Sequence, residues 1–256
     1  MTNQNEVMNF YIAAANGQID IVKQFLESLS EEEINKQDSN GTTALHYACL
    51  NKQTKVINLM LSCAKVNPNV TDANYNTPLT ESTRMLLVNV VELLLANPQV
   101  NVNYKNTNGN KCLHIAICAS NVTIMKLLLS RPDIDINVTN HDGIEAFRFL
   151  FEPDNVELLK VFLDLKPIPI SWSDSDGNSI LHIAYREGDI LTIKEMKKHY
   201  DVIMLRDNLF INNNSGLSPS QLAISLGKQD LVYYAKTPIN HGITSRIIYY
   251  ITNLFN

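Results

Sequence analysis

Short apolar clusters at helical spacing alternate with polar turns along the chain. Val56-Ile57, Val90-Val91, Ile124-Met125 and Leu158-Leu159 are each followed, four residues on, by Met60-Leu61, Leu94-Leu95, Leu128-Leu129 and Phe162-Leu163. That spacing lays one apolar stripe along a helix. Before each cluster comes a shorter stretch rich in small residues, such as LHYAC (45–49) or LHIA (113–116 and 181–184). After it comes an extended arm, VNPNV, VNVNY or IDINV. The pattern predicts pairs of helices, each pair led in by a turn.

The turns fix a period. Asp38, Asp72, Asn106, Asn140 and Asp174 are 34 residues apart. Three on from each stand Gly41, Tyr75, Gly109, Gly143 and Gly177, and seven on stand Leu45, Leu79, Leu113, Phe147 and Leu181. A period in this range defines a repeat architecture before any local propensity is weighed. The turn glycine supplies a positive backbone angle, and Thr43, Thr77 and Ser179 are placed to cap the first helix of their units. IAAANGQIDIVKQFL (12–26) predicts a first unit without a turn before it. GLSPSQLAISLGKQDLVYY (216–234) predicts a last unit, reached by a longer link through Asn212-Asn213-Asn214. Irregular end units are expected of a stacked array.

Composition narrows the function. Apolar residues make up 45% of the 256, enough for a substantial core. The formal net charge of −5 argues against a nucleic-acid footprint, which needs a clustered positive surface. No apolar run approaches the roughly 18 residues of a membrane span, and the start MTNQNEVMNFYIAAANG lacks the basic and apolar segments of a leader. Cys49, Cys63, Cys112 and Cys118 read as small apolar residues of a reducing compartment. No phosphate-binding loop, nucleophile elbow or paired-histidine zinc motif occurs. The Asp174–Asn178 turn hints at a calcium loop. However, with Gly177 at loop position six, Trp172 and Ile183 fall where carboxylates are required.

His46, His114 and His182 share one position in their units. As catalytic or metal-binding groups they lack a carboxylate, cysteine or second histidine at ligand spacing. As structural groups they bond backbone at the turns and tie units together, and this is the reading the spacing favours.

These phrases resemble the ankyrin-repeat family. NTPL (76–79), LHYA (45–48), LHIA (113–116 and 181–184), IDIVKQFL (19–26) and IDIN (134–137) follow its pattern from about residue 7 to 235. The resemblance implies an all-α ankyrin-repeat solenoid of stacked helix-turn-helix units with projecting β-turn fingers. It implies about seven units within 1–235: 7–35, 36–69, 70–103, 104–137, 138–171, 172–205 and 206–235. Residues 236–256 read as an amphipathic helix that either caps the stack or docks a partner. The family's usual work is binding other proteins on the concave face, without catalysis and without a cofactor. The expectation is therefore a monomeric cytoplasmic adaptor for another protein, with no nucleic acid and no membrane span. The repeats also resemble those of effectors that intracellular microbes deliver into a host cytosol. That resemblance implies masking of a host protein or inhibition of an enzyme as the alternative. Leu129 with Asp135-Ile136-Asn137 resembles the arm that asparaginyl hydroxylases modify. It makes Asn137 the candidate and Asn103 the second; the alternative is an asparagine bonding across the arm to hold the turn.

Partner-binding candidates are departures from the repeat at positions expected to be exposed. The finger tips give Asn40, Asn108, His141, Asp142 and Asp176. The residues just past the turn glycine give Thr42, Asn76, Asn110, Ile144 and Asn178. The end of helix one gives Arg84, Met85, Arg186 and Glu187. Tyr75 stands where glycine is usual: either it takes the positive angle or the turn changes type, with Asn74 or Asn76 taking it. Trp172, two before its turn, either contacts a partner or stacks between arms. Phe149 and Phe151 either widen the packing of the fifth unit or line a groove, and Pro153 shortens that unit's first helix.

Overall fold

A computed structural model describes residues 4–137, 139–169, 171–200 and 211–236. Residues 237–256 of the expected C-terminal helix (236–256) and all of 201–210 in the link lie outside them. The chain forms two compact units, residues 1–147 and 148–256. Each is helical, and among the described residues the only β-pairing is two isolated bridges, Thr139–Glu145 and Ser173–Ser179.

The first unit contains α1 (Gln4–Ala15), α2 (Ile19–Ser28), the single turn α3 (Glu31–Ile34), α4 (Ala44–Leu50), α5 (Thr54–Ser62), α6 (Pro78–Arg84), α7 (Val88–Leu95), α8 (Cys112–Cys118) and α9 (Val122–Leu129). Two layers result. The first helices of successive pairs touch, α1 to α4 to α6 to α8, and so do the second helices, α2 to α5 to α7 to α9.

Local chemistry explains each helix. Thr77 Oγ1 accepts the Thr80 N–H at 3.2 Å, and Pro78 occupies the first helical position, where no N–H is needed. Asn121 caps α9 by accepting the Ile124 N–H at 2.9 Å. Four residues of α9 are buried, Ile124, Met125, Leu128 and Leu129, the i, i+1, i+4, i+5 stripe of the sequence. Burying each such side chain contributes about 1.5–3 kcal/mol.

In this unit the first helices end in a left-handed residue, which lets the next N–H reach back five residues. Gln18 N–H bonds Ala13 O, Gln53 bonds Ala48, Leu87 bonds Ser82 and Asn121 bonds Ala116. The left-handed residue is Gly17 in the first pair, but Lys52, Leu86 and Ser120 in the next three, with φ of 57°, 56° and 50°.

The arms are held by asparagine. Asn35, Asn69 and Asn103 each donate an amide N–H to a carbonyl of the next arm, Lys65, Gln99 and Asp133, at 2.7 Å. Each also accepts a backbone N–H from it, from Asn67, Asn101 and Asp135 at 2.7, 2.7 and 2.9 Å.

A 3-10 segment, Ala146–Phe151, stands where a first α-helix is expected, and a second, Pro153–Asn155, follows. Here Leu150 stands at the place of Ala48, Ser82, Ala116 and Ala184, Phe151 stands at that of Cys49 and Thr83, and Pro153 follows. Phe147 and Phe151 are buried and Phe149 half-buried, so packing absorbs the larger rings. The second unit continues with α10 (Val156–Leu165), α11 (Ile180–Glu187), α12 (Ile190–His199), α13 (Pro219–Ser225) and α14 (Gln229–Lys236). There α11 packs on α13, and α12 on both α10 and α14.

Candidate functional site: the finger row and inner helices

One device builds every finger. The leading Asp or Asn accepts two backbone N–H groups with one oxygen: Asp38 from Asn40 and Thr42 at 2.8 and 2.9 Å, and Asp72 from Asn74 and Asn76 at 2.8 Å each. Asn106, Asn140 and Asp174 repeat it. A short carboxylate or amide at this place closes the turn on itself. Tyr75 takes the positive angle itself, with φ of 57°, so the turn keeps its type and neither neighbour is strained instead. The Tyr75 ring is left 59% exposed.

The histidines sit behind the fingers. His46 Nδ1 accepts the Thr43 N–H at 3.3 Å while Nε2 faces Asn76 O at 3.1 Å. His114 does the same between Lys111 N–H and Ile144 O, and His182 between Ser179 N–H and Leu217 O. An acceptor at one nitrogen and a donor at the other describe the neutral imidazole. Burial lowers the affinity of all three for a proton, more than the backbone carbonyl raises it. Each histidine thus ties its helix to the following finger, as the structural reading expects. Among the described residues, no group of three or more His, Cys, Asp or Glu side chains is placed to hold a metal ion. Burial pushes the Cys49 and Cys112 thiols up to about 12 and about 11, which leaves them protonated and poorly nucleophilic.

The candidate contact residues divide three ways. Asn40, Tyr75, Arg84, Met85, Asn108, His141, Asp142 and Asp176 are exposed. Thr42, Asn110, Ile144, Trp172, Arg186 and Glu187 are half-buried. Asn76 and Asn178, expected on the open row, are only 5% and 4% exposed. Their side chains serve the turn: Asn178 donates to Asp174 Oδ2 at 3.0 Å and accepts from Asn213 at 2.8 Å. The residue after the turn glycine points inward, towards the histidine level, and Ile144 O accepts from His114 there. Arg84 is paired with Glu81 at 2.9 Å, and Arg186 with Glu187 at 2.9 Å. Asn137 is exposed, and its side-chain amide makes no hydrogen bond among the described residues, whereas Asn103 is clamped on both sides.

Exposed apolar residues beyond those the sequence points to include three near the first fingers. Met8 and Ile12 lie on α1, and Leu86 is the left-handed residue after α6. Leu86 could have been found, because Gly17 marks its equivalent position in the first pair.

Helix pairs at a fixed repeat, with fingers closed by an Asp or Asn and joined by histidine to the helix before, define a stacked-repeat interaction fold. The family model described as ankyrin repeats (3 copies) matches residues 10–106 and 57–140, which together cover 10–140. The chain belongs to the ankyrin-repeat family. The crystal structure of the ankyrin repeat domain of Bcl-3, described as a unique member of the IkappaB protein family, superposes with a TM-score of 0.72. The match spans 88% of this chain and 97% of that one at 18% identity, a likeness of fold. A comparison with curated protein sequences gives no match. The ankyrin fold is a protein–protein interaction module and is generally not catalytic. No described helix is long and apolar enough to cross a membrane.

Proposed function

We propose that this chain is a non-catalytic adaptor that binds a partner protein through its finger tips and inner-helix ends. The observation that carries this reading is Tyr75. A non-glycine residue in the left-handed region costs about 1–2 kcal/mol. The ring recovers little of that by burial, being 59% exposed. Strain kept at an exposed aromatic is the signature of a contact residue, since tyrosine supplies large, rigid contact area. Met85, exposed in the same helix pair, extends the apolar part of the contact. Asn40, Asn108, His141, Asp142 and Asp176 supply polar contacts along the tips, with Thr42, Asn110, Ile144, Trp172, Arg186 and Glu187 behind them. The repeats divide at 36, 70, 104, 138, 172 and 206 in this reading, and the chain works as a cytoplasmic monomer. Masking an enzyme or a host protein uses the same surface, so an activity assay on the captured partner separates that role from scaffolding.

The test is affinity capture with the full chain beside a variant carrying Tyr75→Gly and Met85→Ala, followed by mass spectrometry. The variant is expected to fold at least as well as the parent and to lose a protein that the parent captures. A partner held equally by both would sink the reading.

A further inference from the structure

Among the described residues no finger precedes the first one. Within the first unit each later finger donates one backbone N–H to the tip of its predecessor. Ala73 N–H bonds Asn40 O at 2.9 Å, Thr107 bonds Asn74 at 3.1 Å and His141 bonds Asn108 at 3.1 Å. The equivalent donor of the first finger, 34 residues before Ala73, is Ser39 N–H. It has no acceptor among the described residues. On that side α1 stays helical through the stretch where later repeats turn outward. The helix and the finger therefore enclose a groove of about 580 Å³.

The floor of the groove is apolar. Val7, Met8, Ile12 and Ala15 line it, and Met8 and Ile12 are 54% and 48% exposed. The Tyr11 and Tyr47 rings pair with centroids 5.7 Å apart. Both of their hydroxyls are already engaged, Tyr11 donating to Lys36 O at 3.0 Å and Tyr47 to Asp38 Oδ2 at 2.7 Å.

Charge decides the class of occupant. Among the described residues the lining holds one cation, Lys36, and one anion, Asp38, whose fields oppose each other. Asp38 spends both oxygens on its own turn and on Tyr47. A groove with an apolar floor, near-zero charge and one open backbone donor complements an uncharged segment.

We infer that this groove binds an uncharged, non-helical segment of a partner protein. The segment seats an apolar side chain against Met8 and Ile12 and gives one backbone carbonyl to Ser39 N–H. It continues, at the open end, the finger-to-finger interface that forms three times further along the unit. The inference rests on the partner-binding reading above and adds to it a site away from Tyr75.

The test uses the full chain, isotopically labelled for NMR. The probes are N-acetylated, C-amidated heptapeptides of serine and threonine around a central leucine, methionine or phenylalanine. A matched set carries a central aspartate or lysine. The expected result is saturable binding of the apolar set, with shifts at the Ser39 amide and the Met8 and Ile12 methyl groups, unchanged between low and high salt. Ser39→Pro removes only the donor. Ser39 is the second residue of the turn closed by Gly41 N–H to Asp38 O at 3.0 Å, where proline is favoured. Losing one hydrogen bond weakens binding about fivefold. The exposed pair Met8→Ser with Ile12→Ser is expected to weaken it further. No saturable shift, equal binding by Ser39→Pro, or preference for a charged peptide overturns the inference. If peptides fail while a partner is still captured through Tyr75, the groove falls and the adaptor reading stands. If peptides bind as expected but nothing is captured through Tyr75, the adaptor reading falls and the groove stands.

Discussion

The two compact units hold similar helix pairs with different chemistry. In residues 1–147 successive arms are joined by the amides of Asn35, Asn69 and Asn103, each bonding in both directions, while Lys65 and Arg131 donate to carbonyls of the preceding repeat. Among the described residues of 148–256, ionisable side chains recur at helix ends and between helices. His199 bridges α12 to Asp164 of α10 at 2.8 Å, Lys198 bonds the buried Glu195 at 2.6 Å, and Arg148 and Arg186 share Glu187. Lys197, buried, donates to Tyr234 O at 3.0 Å and lies over that ring. The arm there carries Pro167 and Pro169, and a proline has no N–H to offer an asparagine clamp. The first unit thus carries two-sided asparagine clamps that do not recur among the described residues of the second, and the two units should respond to different disturbances.

Hydrogen exchange read separately on peptides from each unit can break this comparison. The largest effect is expected from Asn69→Ala. It removes two hydrogen bonds to exposed groups of the next arm, and should cost the first unit about 1–2 kcal/mol at any salt concentration. A loss that shrinks in high salt would show that charge, not amide bonding, holds these arms.

Acidification comes next. Burial depresses the pKa of the three structural histidines below the ordinary value of 6.5. The unfolded chain therefore binds protons that the folded chain refuses, and stability falls as pH drops below about 6.5 towards the folded values. Two of these histidines lie in the first unit and one in the second, so the first unit should lose more between pH 7 and pH 5. His46→Gln in the first unit should reduce that difference. Equal losses in both units would contradict the assignment.

A smaller gain is expected from Leu86→Gly, and from Tyr75→Gly. Each relieves a left-handed side chain, offset by glycine's greater freedom in the unfolded chain, for a net gain of roughly 0.5 kcal/mol. Melting curves for the two variants should rise together, while only Tyr75→Gly loses the captured partner. If Leu86→Gly loses it as well, the contact patch extends to the helix end.

The smallest effect is expected in the second unit from Asp164→Asn, which replaces the exposed carboxylate facing His199 by an amide and should cost at most about 1 kcal/mol. Raising salt should erase even that difference. A loss that persists in high salt would mean the hydrogen bond, rather than the charge, joins α10 to α12.

Much of this was legible in the sequence. The 34-residue register, the Thr and Ser caps and the second-helix stripes follow from local chemistry that acts within a few residues. The role of His46 was also legible, because its spacing forbade a shared ligand. What the sequence hid depends on direction. Asn76 and Asn178 look like surface residues beside a turn, yet the closed turn aims them inward. Asn69 looks like one more polar arm residue, because its two-sided bonding needs the next arm in place. The 3-10 stretch at 146–151 reflects packing of Phe147 and Phe151, which no periodicity reports. Leu86 in the left-handed region was masked because its neighbours, Met85 and Leu87, make it read as part of an apolar run.

The asparagine clamps also set a schedule for synthesis. Each reaches only 30 to 32 residues along the chain. At usual elongation rates the ribosome adds that length in about 2 to 7 s. Every clamp can therefore close soon after its partner arm emerges, without waiting for the C-terminus. A chain stalled after the third or fourth pair would already carry its Tyr75 finger and its first groove, ready to meet a partner before translation ends.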